Sequence, residues 1–566
     1  MQASGTRKAS EGGRTIVAIA TVALVVLAVV RATNGISFAD DSHYAAITLR
    51  LAQGARPFAD EMTMQSLGFV LAAPFTWLWN ALFGTAGLVL ALRLFYIALA
   101  TACGAVAYRA LRPSFGQIAS FAAVAAPLLA IPYNIVGLSY NTGAALGFGL
   151  ASALGLAALR DRSRGAALAA GVALALGAFS HPPLAIAAIV FVATFMLLAR
   201  DRALSLRLLV GCAIVTIPVA VWLLLAVGTD AIARSLEYSR AVWATQKSAG
   251  ARIDRVLWKL HDSASQRLLL PMWLLGLIAL VPRIPRWIRS AAAVLLPLAA
   301  AAPGLRYLAL KRGYTDWFGY TGAAVLTLAT IAGLLAVIAF AHRAKHADLT
   351  RLLVLTAPAS LVGYALVATS TTAAWVYAVP VIALAPLAAA VVAGLVLLAE
   401  ESGATARYAL VTGLVSVLLL TLFATSFKDD APLALDTRVS SGAFAGIRTT
   451  SARAESIAVI EDIGKRYVTP SETGVLVVAN PAAYLLVGGR MQTNAVWLAI
   501  GSSDSYTVEW FDAHGGDPDV VLLARSLIES KGGLASSAVD DPLLAYIAER
   551  YTLAEETDPL LVYVPR

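Results

Sequence analysis

Cysteine is almost absent from this chain: Cys103 and Cys212 are the only two in 566 residues, and both sit inside apolar runs. That excludes a disulfide framework and a zinc site built on spaced thiolates, and leaves both as small core residues. Charge is scarce as well, at 14% of residues, with only 15 Asp and Glu in the first 425 positions. Internal repeats and low-complexity linkers are missing. What fills the chain is apolar: 59% of residues are hydrophobic and the mean hydropathy is +0.75. A bilayer core takes about 20 apolar residues per helix, and many such runs are present. The ten-residue alternation of an outer-membrane barrel is not. The composition therefore reads as a polytopic α-helical membrane protein.

The formal net charge of +9 hides an asymmetry. From Ser426 onward, 11 Lys and Arg face 19 Asp and Glu, a net of −8, whereas residues 1–425 carry a net of +17. The basic excess gathers in short connections: Arg109/Arg112, Arg160/Arg162/Arg164, Arg200/Arg202/Arg207, Arg283/Arg286/Arg289, Arg343/Lys345/Arg351 and Arg407. Short cytoplasmic loops carry such an excess, so it is a topology signal and not a nucleic-acid footprint. With the basic N-terminus also inside, the remaining connections lie outside. A span over 67–83 would invert this pattern. Pro74, Trp77, Trp79 and Asn80 suit instead a helix lying on the outer interface.

About thirteen spans follow, N-terminus in and C-terminus out: 15–30 (retained rather than cleaved), 86–108, 118–131, 142–159, 166–179, 184–198, 208–227, 268–281, 291–302, 323–341, 352–368, 376–398 and 408–423. Residues 1–14 form a cytoplasmic tail, 15–425 the membrane region with a first outer loop at 34–66, and 426–566 a small extracytoplasmic unit. Loop 228–267 has apolar positions at helical spacing and is expected to lie on the membrane as one or two helices. In the tail, helices at 454–467, 508–514 and 541–551 interleave with strands at 474–478, 520–524 and 560–564, an α/β pattern.

Two acidic pairs stand out against this background. Asp40-Asp41-Ser42-His43-Tyr44 follows the first span at once, and Asp60-Glu61 comes later in the same loop, after Arg56 and Pro57. A solvated loop capping a helix accounts for such carboxylates in one way. A catalytic base beside a membrane surface accounts for them in another.

The order of motifs favours the second. Phe38-Ala39-Asp40-Asp41-Ser42-His43-Tyr44, a short helix over 44–53, and Gly54-Ala55-Arg56-Pro57-Phe58-Ala59-Asp60 resemble the first outer loop of GT-C membrane glycosyltransferases. Pro74, Phe83-Gly84 and Arg93-Leu94 are similar to that family's next stretch. Tyr140-Asn141-Thr142, Ser180-His181-Pro182-Pro183 and Trp375-Val376-Tyr377-Ala378-Val379-Pro380 resemble later elements, and Gly446-Ile447-Arg448-Thr449-Thr450, Tyr484-Leu485 and Tyr563 resemble the outer domain of some bacterial members. The number and order of spans are similar to those of aminoarabinose lipid A transferases and protein O-mannosyltransferases.

The resemblance implies a transferase in a bacterial plasma membrane. Its donor would be a polyprenyl-phosphate sugar facing outward, its acceptor a hydroxyl of a glycan, lipid or protein, and its reaction inverting. An acceptor hydroxyl is a weak nucleophile and needs a base within hydrogen-bond reach. An oxocarbenium-like transition state needs carboxylates, and a departing lipid phosphate needs cationic or hydroxyl donors. Asp40 occupies the family's base position, with Asp41 as the other base or a positioning group. The two together could hold a divalent cation, Mg²⁺ or Mn²⁺. Asp60 is a second carboxylate or a turn cap, and Glu61 reads as solvated. His43 could share the Asp40 proton, and Tyr44, Tyr140, Asn141 and His181 could line the sugar site or serve only as caps and turn residues. Arg56, Arg306, Lys311 and Arg312, with the Tyr377 hydroxyl, are the phosphate candidates, against plain headgroup contacts. A transporter or flippase of envelope lipids and a non-catalytic envelope assembly protein are the competing readings. The near-absence of charge inside the spans weighs against the transporter.

Overall fold

The computed structural model describes residues 2–129, 135–244, 347–370, 381–400, 428–498 and most of 504–566, with scattered positions from 248 to 299 and from 411 to 426. Among the described residues, six helices are long and apolar enough to cross a membrane: Gly13–Ala32, Leu88–Ala125, Tyr140–Asp161, Pro182–Ala199, Arg202–Val227 and Ala347–Val367. Two shorter apolar helices, Arg164–Ser180 and Ala383–Leu397, accompany them. The chain is a multi-pass helical membrane protein. The expected spans at 268–281, 291–302, 323–341 and 408–423 lie wholly or largely outside the described residues.

Helix α1 (Gln2–Ala32) leads through a short extended stretch to α2 (Asp40–Ala52). A 3₁₀ turn at Met64–Phe69 precedes α3 (Ala73–Phe83). At eleven residues α3 is about 16 Å long, half of what a bilayer core requires, and it leaves Trp77 and Leu82 exposed. The expected interfacial placement of this stretch fits that length. Next comes α4 (Leu88–Leu129), where the sequence suggested two spans with a loop at Arg109 and Arg112. Two helices are present, with the break at Gly116 (φ 76°, ψ −178°) inside the expected connection of 109–117, and the first of them runs on through both arginines. Long arginine stems reach the interface from a continuing helix, so a basic pair does not require a loop.

Helices α5 (Tyr140–Asp161), α6 (Arg164–Ser180), α7 (Ala185–Ala199) and α8 (Arg202–Trp222) follow with tight turns, two of them closed by left-handed Arg162 and Arg200. Between α6 and α8 the backbones meet at Gly171 and Gly211, where a Cβ on either would lie 2.1 Å from a carbonyl oxygen of the other helix. Small residues permit this approach, which dispersion alone can hold in lipid. Helix α9 (Thr229–Ala244) opens the 228–267 loop, as its periodicity suggested. It donates Ser235 Oγ–H to the Met62 carbonyl (2.7 Å).

In the C-terminal part β1 (Thr437–Arg438) pairs antiparallel with β2 (Arg448–Thr449), and a separate five-stranded sheet runs in the order β4 (Arg490–Met491), β3 (Gly474–Val478), β5 (Val520–Ala524), β7 (Leu560–Pro565), β6 (Tyr551–Glu556). Strands β3 and β5 pair in parallel, with Val475 opposite Val520. Their near-continuous aliphatic runs are buried, as central strands covered on both faces must be. β4 adds one edge; β7 and β6 add antiparallel partners on the other. The sequence showed no sign of β6, because its side chains are largely exposed and polar. One apolar core joins Ile36, Tyr44, Ile47 and Leu88 to Ile457, Val475 and Tyr484. Helix α2 is therefore packed between the membrane helices and the sheet unit.

Candidate active site

The acidic pair opens α2, where unpaired backbone N–H groups favour negative charge. Its two members meet different surroundings. Asp41 is buried and accepts from Arg93 (Nη2 to Oδ2, 2.5 Å), an ion pair in which both side chains are under 10% exposed. Arg93 also donates to the carbonyls of Ala32 and Gly35, each at 2.6 Å. Arg31 lies in the same cluster and donates to the carbonyls of Asn34 (2.6 Å) and Leu422 (2.9 Å). Asp41 thus ties α2 to α4 and to the end of α1.

Asp40 is half-buried and faces the other way. Burial pushes its carboxyl above the usual carboxylate range; the Lys428 ammonium and its own backbone N–H pull it down, and the Asp41 charge adds to the rise. Lys428 sits over the Trp497 ring, its Nζ 5.9 Å from the centroid. That ring meets His43 edge-on at 5.6 Å, and His43 lies 6.3 Å from Phe69. The aromatic series continues through Tyr44 (5.5 Å from Phe69), Tyr140 (6.0 Å from Tyr44) and His181 (5.4 Å from Tyr140). The turn carrying Phe69 comes this close because Gly68 has no side chain; a Cβ there would lie 2.5 Å from the Tyr140 Cα.

Tyr140 and Asn141 are fixed by a capping box, in which Ser139 Oγ accepts from the Asn141 and Thr142 amides and Thr142 Oγ1 accepts from the Ser139 amide. Several buried polar atoms around this pocket lack a well-formed hydrogen bond: Nδ1 of His43, Nδ1 of His181 and the Asn141 carboxamide, which lies beside the Tyr140 hydroxyl. Burial lowers the His43 pKa to about 3 and that of His181 to about 4, so both imidazoles are neutral at physiological pH. Groups that make no bond within the protein are available to a polar ligand.

The second acidic pair stands apart. Asp60 accepts from the Arg56 amide (2.7 Å) and from Arg56 Nε (3.1 Å). Partial burial pushes its carboxyl up, but these bonds from Arg56 outweigh it and hold the carboxyl below the usual range. Arg56 is committed to that turn and is half-exposed. Glu61, expected to be solvated, is instead fully buried. Its carboxylate accepts from Arg50 (2.8 Å), Thr63 Oγ1 (2.9 Å) and the Val496 amide (3.0 Å). Burial pushes its carboxyl up against those three partners. Arg50 also donates to the Thr493 carbonyl. Three polar groups take the place of the expected solvent, one of them the Val496 amide of the sheet unit.

The same unit grips the start of the loop. Asp429 Oδ2 accepts from the Ile36 amide (2.8 Å) and Thr449 Oγ1 (2.7 Å), Arg453 donates to the Ile36 carbonyl, and Gly35 and Thr33 exchange backbone bonds with Arg448 (both 2.8 Å). These contacts bring Lys428 to Asp40 and Trp497 to His43. Neither was visible as a site residue in the sequence, where they are 388 and 457 positions downstream of it. Arg306, Lys311, Arg312 and Tyr377 lie outside the described residues.

No protein-family model matches the chain, and no curated protein matches it. Among solved structures it is similar to ArnT from Cupriavidus metallidurans in the apo state, at 14% identity over 97% of this chain and 98% of that one, with a TM-score of 0.42. It is also similar to the Archaeoglobus fulgidus oligosaccharyltransferase in complex with Zn and sulfate, at 14% identity over 96% and 73% of the two chains (TM-score 0.47). A third likeness is to AglB from Archaeoglobus fulgidus, in complex with an inhibitory peptide and a dolichol-phosphate (13% identity, 96% and 74%, TM-score 0.46). At TM-scores under 0.5 these likenesses carry no argument of their own.

A divalent cation does not fit the pair as it stands. Arg93 occupies the Asp41 carboxylate, and among the described residues no group of three or more His, Cys, Asp or Glu side chains gathers at one point. Hard cations need a fuller oxygen set.

Proposed function

We propose that this protein is a membrane glycosyltransferase that moves a sugar from a polyprenyl-phosphate carrier to an acceptor hydroxyl of the cell envelope, with Asp40 as general base. The division within the acidic pair carries the reading: Arg93 holds Asp41, and Asp40 is left half-buried at an aromatic pocket with its carboxyl pushed up. A carboxylate whose pKa is raised toward the working pH is a better proton acceptor, while it remains ionised enough to act.

In the proposed step, Asp40 takes the acceptor proton as the hydroxyl oxygen bonds to the anomeric carbon. The bond from that carbon to the phosphate oxygen breaks with its electron pair, and the configuration inverts. The ionised carboxylate also stabilises the oxocarbenium-like charge on the sugar. Tyr44, Phe69, Tyr140 and Trp497 offer ring faces to the sugar, and the neutral imidazoles and the Asn141 amide offer hydrogen bonds to its hydroxyls. Lys428 supplies positive charge for the leaving phosphate. Asp41 positions α2 and takes no proton. The ordered motifs that resemble the GT-C family support the donor class. In this reading Asp40 and the sheet unit face outward from a bacterial plasma membrane.

Reconstitution in liposomes with polyprenyl-phosphate sugars, read by mass spectrometry of the lipid-linked pool and of the acceptor glycans, tests it. Asp40→Asn is expected to lower transfer about 10²- to 10⁴-fold with unchanged thermal unfolding. Full transfer by that variant sinks the assignment.

A further inference from the structure

The structure holds a second cleft, which starts at Ile97, Val136 and Leu422 beneath the Arg31–Arg93–Asp41 cluster and runs along α4 to an end at Arg109 and Arg112, away from Asp40. It lies between α1 and α4, with a cavity volume of about 390 Å³. Its walls are apolar, from Val17, Leu24 and Ala28 on one helix to Ile97, Ala100 and Ala105 on the other. The hydroxyls of Thr21 and Thr101 also line it, but each is spent on its own helix, on the carbonyls of Val17 and Ile97 (both 2.7 Å). Tyr96 and Tyr108 add two aromatic rings to the lining. From Val17 to Ala28 the wall rises about 16 Å, the depth of one leaflet of a hydrocarbon core.

One end of the cleft is different. Arg109 and Arg112, one turn apart on α4, are exposed and line its mouth. Among the described residues neither has an ion pair or a side-chain hydrogen bond, unlike Arg31, Arg50, Arg56, Arg93 and Arg160. An apolar slot one leaflet deep, with two uncommitted guanidinium groups at its rim, matches an acyl chain joined to an anionic phosphate headgroup. Arg109 is sixteen residues beyond Arg93 on the same helix, roughly 24 Å along the axis. A phosphate held there is too far from Asp40 to be the leaving group of the proposed reaction.

We infer that the α1–α4 cleft binds an anionic glycerophospholipid of the leaflet opposite Asp40, its chain between the two helices and its phosphate on Arg109 and Arg112. The test is native mass spectrometry of the full chain released from nanodiscs made of equal parts phosphatidylglycerol and phosphatidylcholine. The wild type should retain phosphatidylglycerol over phosphatidylcholine by roughly tenfold, given two cations at the phosphate. Arg109→Gln with Arg112→Gln should remove that preference while the protein still folds, because both side chains are exposed. Ala105→Trp, at an exposed lining position, should fill the slot and lower retention of both lipids. Equal retention of the two lipids by the wild type, an unchanged preference in the double arginine variant, or an unchanged lipid count in Ala105→Trp would each overturn the site and reduce it to ordinary surface lipid.

Discussion

The two acidic pairs of the first loop are alike in sequence and opposite in circumstance. In Asp60-Glu61 each carboxylate has an arginine: Arg56 for Asp60 and Arg50 for Glu61. In Asp40-Asp41 the second carboxylate has Arg93, and the first faces an aromatic pocket with Lys428 at its edge. Two adjacent acids can therefore be a pair of struts or a strut and a reactive group. What decides between them is how many guanidinium groups the fold delivers: Arg50 and Arg56 come from the same loop, and Arg93 comes from α4.

The comparison can be broken most decisively at Asp40, where loss of the carboxylate is expected to remove the proposed transfer and leave the thermal midpoint unchanged. Asp41→Asn is expected to do the reverse: it leaves Arg93 buried without its counter-charge, at a cost of about 3–5 kcal/mol, read as a lower denaturant or thermal midpoint in detergent. A stable Asp41→Asn beside an unfolded Asp40→Asn would exchange the two roles. Glu61→Gln takes the charge from Arg50 and should cost about 1–3 kcal/mol, with faster hydrogen exchange at the Val496 amide.

Lys428→Gln acts through pH. The ammonium draws the Asp40 carboxyl down, so removing it raises that pKa further, and the acid limb of the rate profile moves to higher pH. Activity is lost as pH falls through the raised value, because the base must be ionised. A limb that stays in place, or moves down, separates Lys428 from Asp40. The smallest effect is expected at Asp60→Asn, under about 1 kcal/mol for so exposed a pair, with transfer unchanged in the same liposome assay.

The membrane helices were legible because their apolar runs are long and local. The central strands were too: 474–478 and 520–524 coincide with β3 and β5 to the residue. Edge strand β6 was not, since Thr552, Glu555 and Glu556 carry no burial pattern to detect. At the site, Asp40, His43, Tyr44, Tyr140 and His181 could be named from motif order; the structure gathers the four rings in one series, with the Asp40 charge acting on Tyr140. Three facts were beyond reach of any local signal. Arg93 stood out as a lone charge in a span, but its choice of Asp41 over Asp40 depends on the angle between α2 and α4. Glu61 looked like any loop acid until the sheet unit covered it. Lys428 meets Asp40, and Trp497 meets His43, only through long-range closure, which is written in no spacing.

That closure has a consequence for the timing of biogenesis. Asp40 leaves the ribosome 388 residues ahead of Lys428, an interval of about 20–80 s at ordinary elongation rates. Throughout it the loop between α1 and α3 has neither the Asp429 and Arg453 grip at its start nor the Val496 cover at its end. A nascent or truncated chain thus carries Asp40 without the wall that completes the pocket. In the proposed reading, competence waits until Lys428 and Trp497 have been made, and copies that stop short of them are expected to be inert toward a lipid-linked donor.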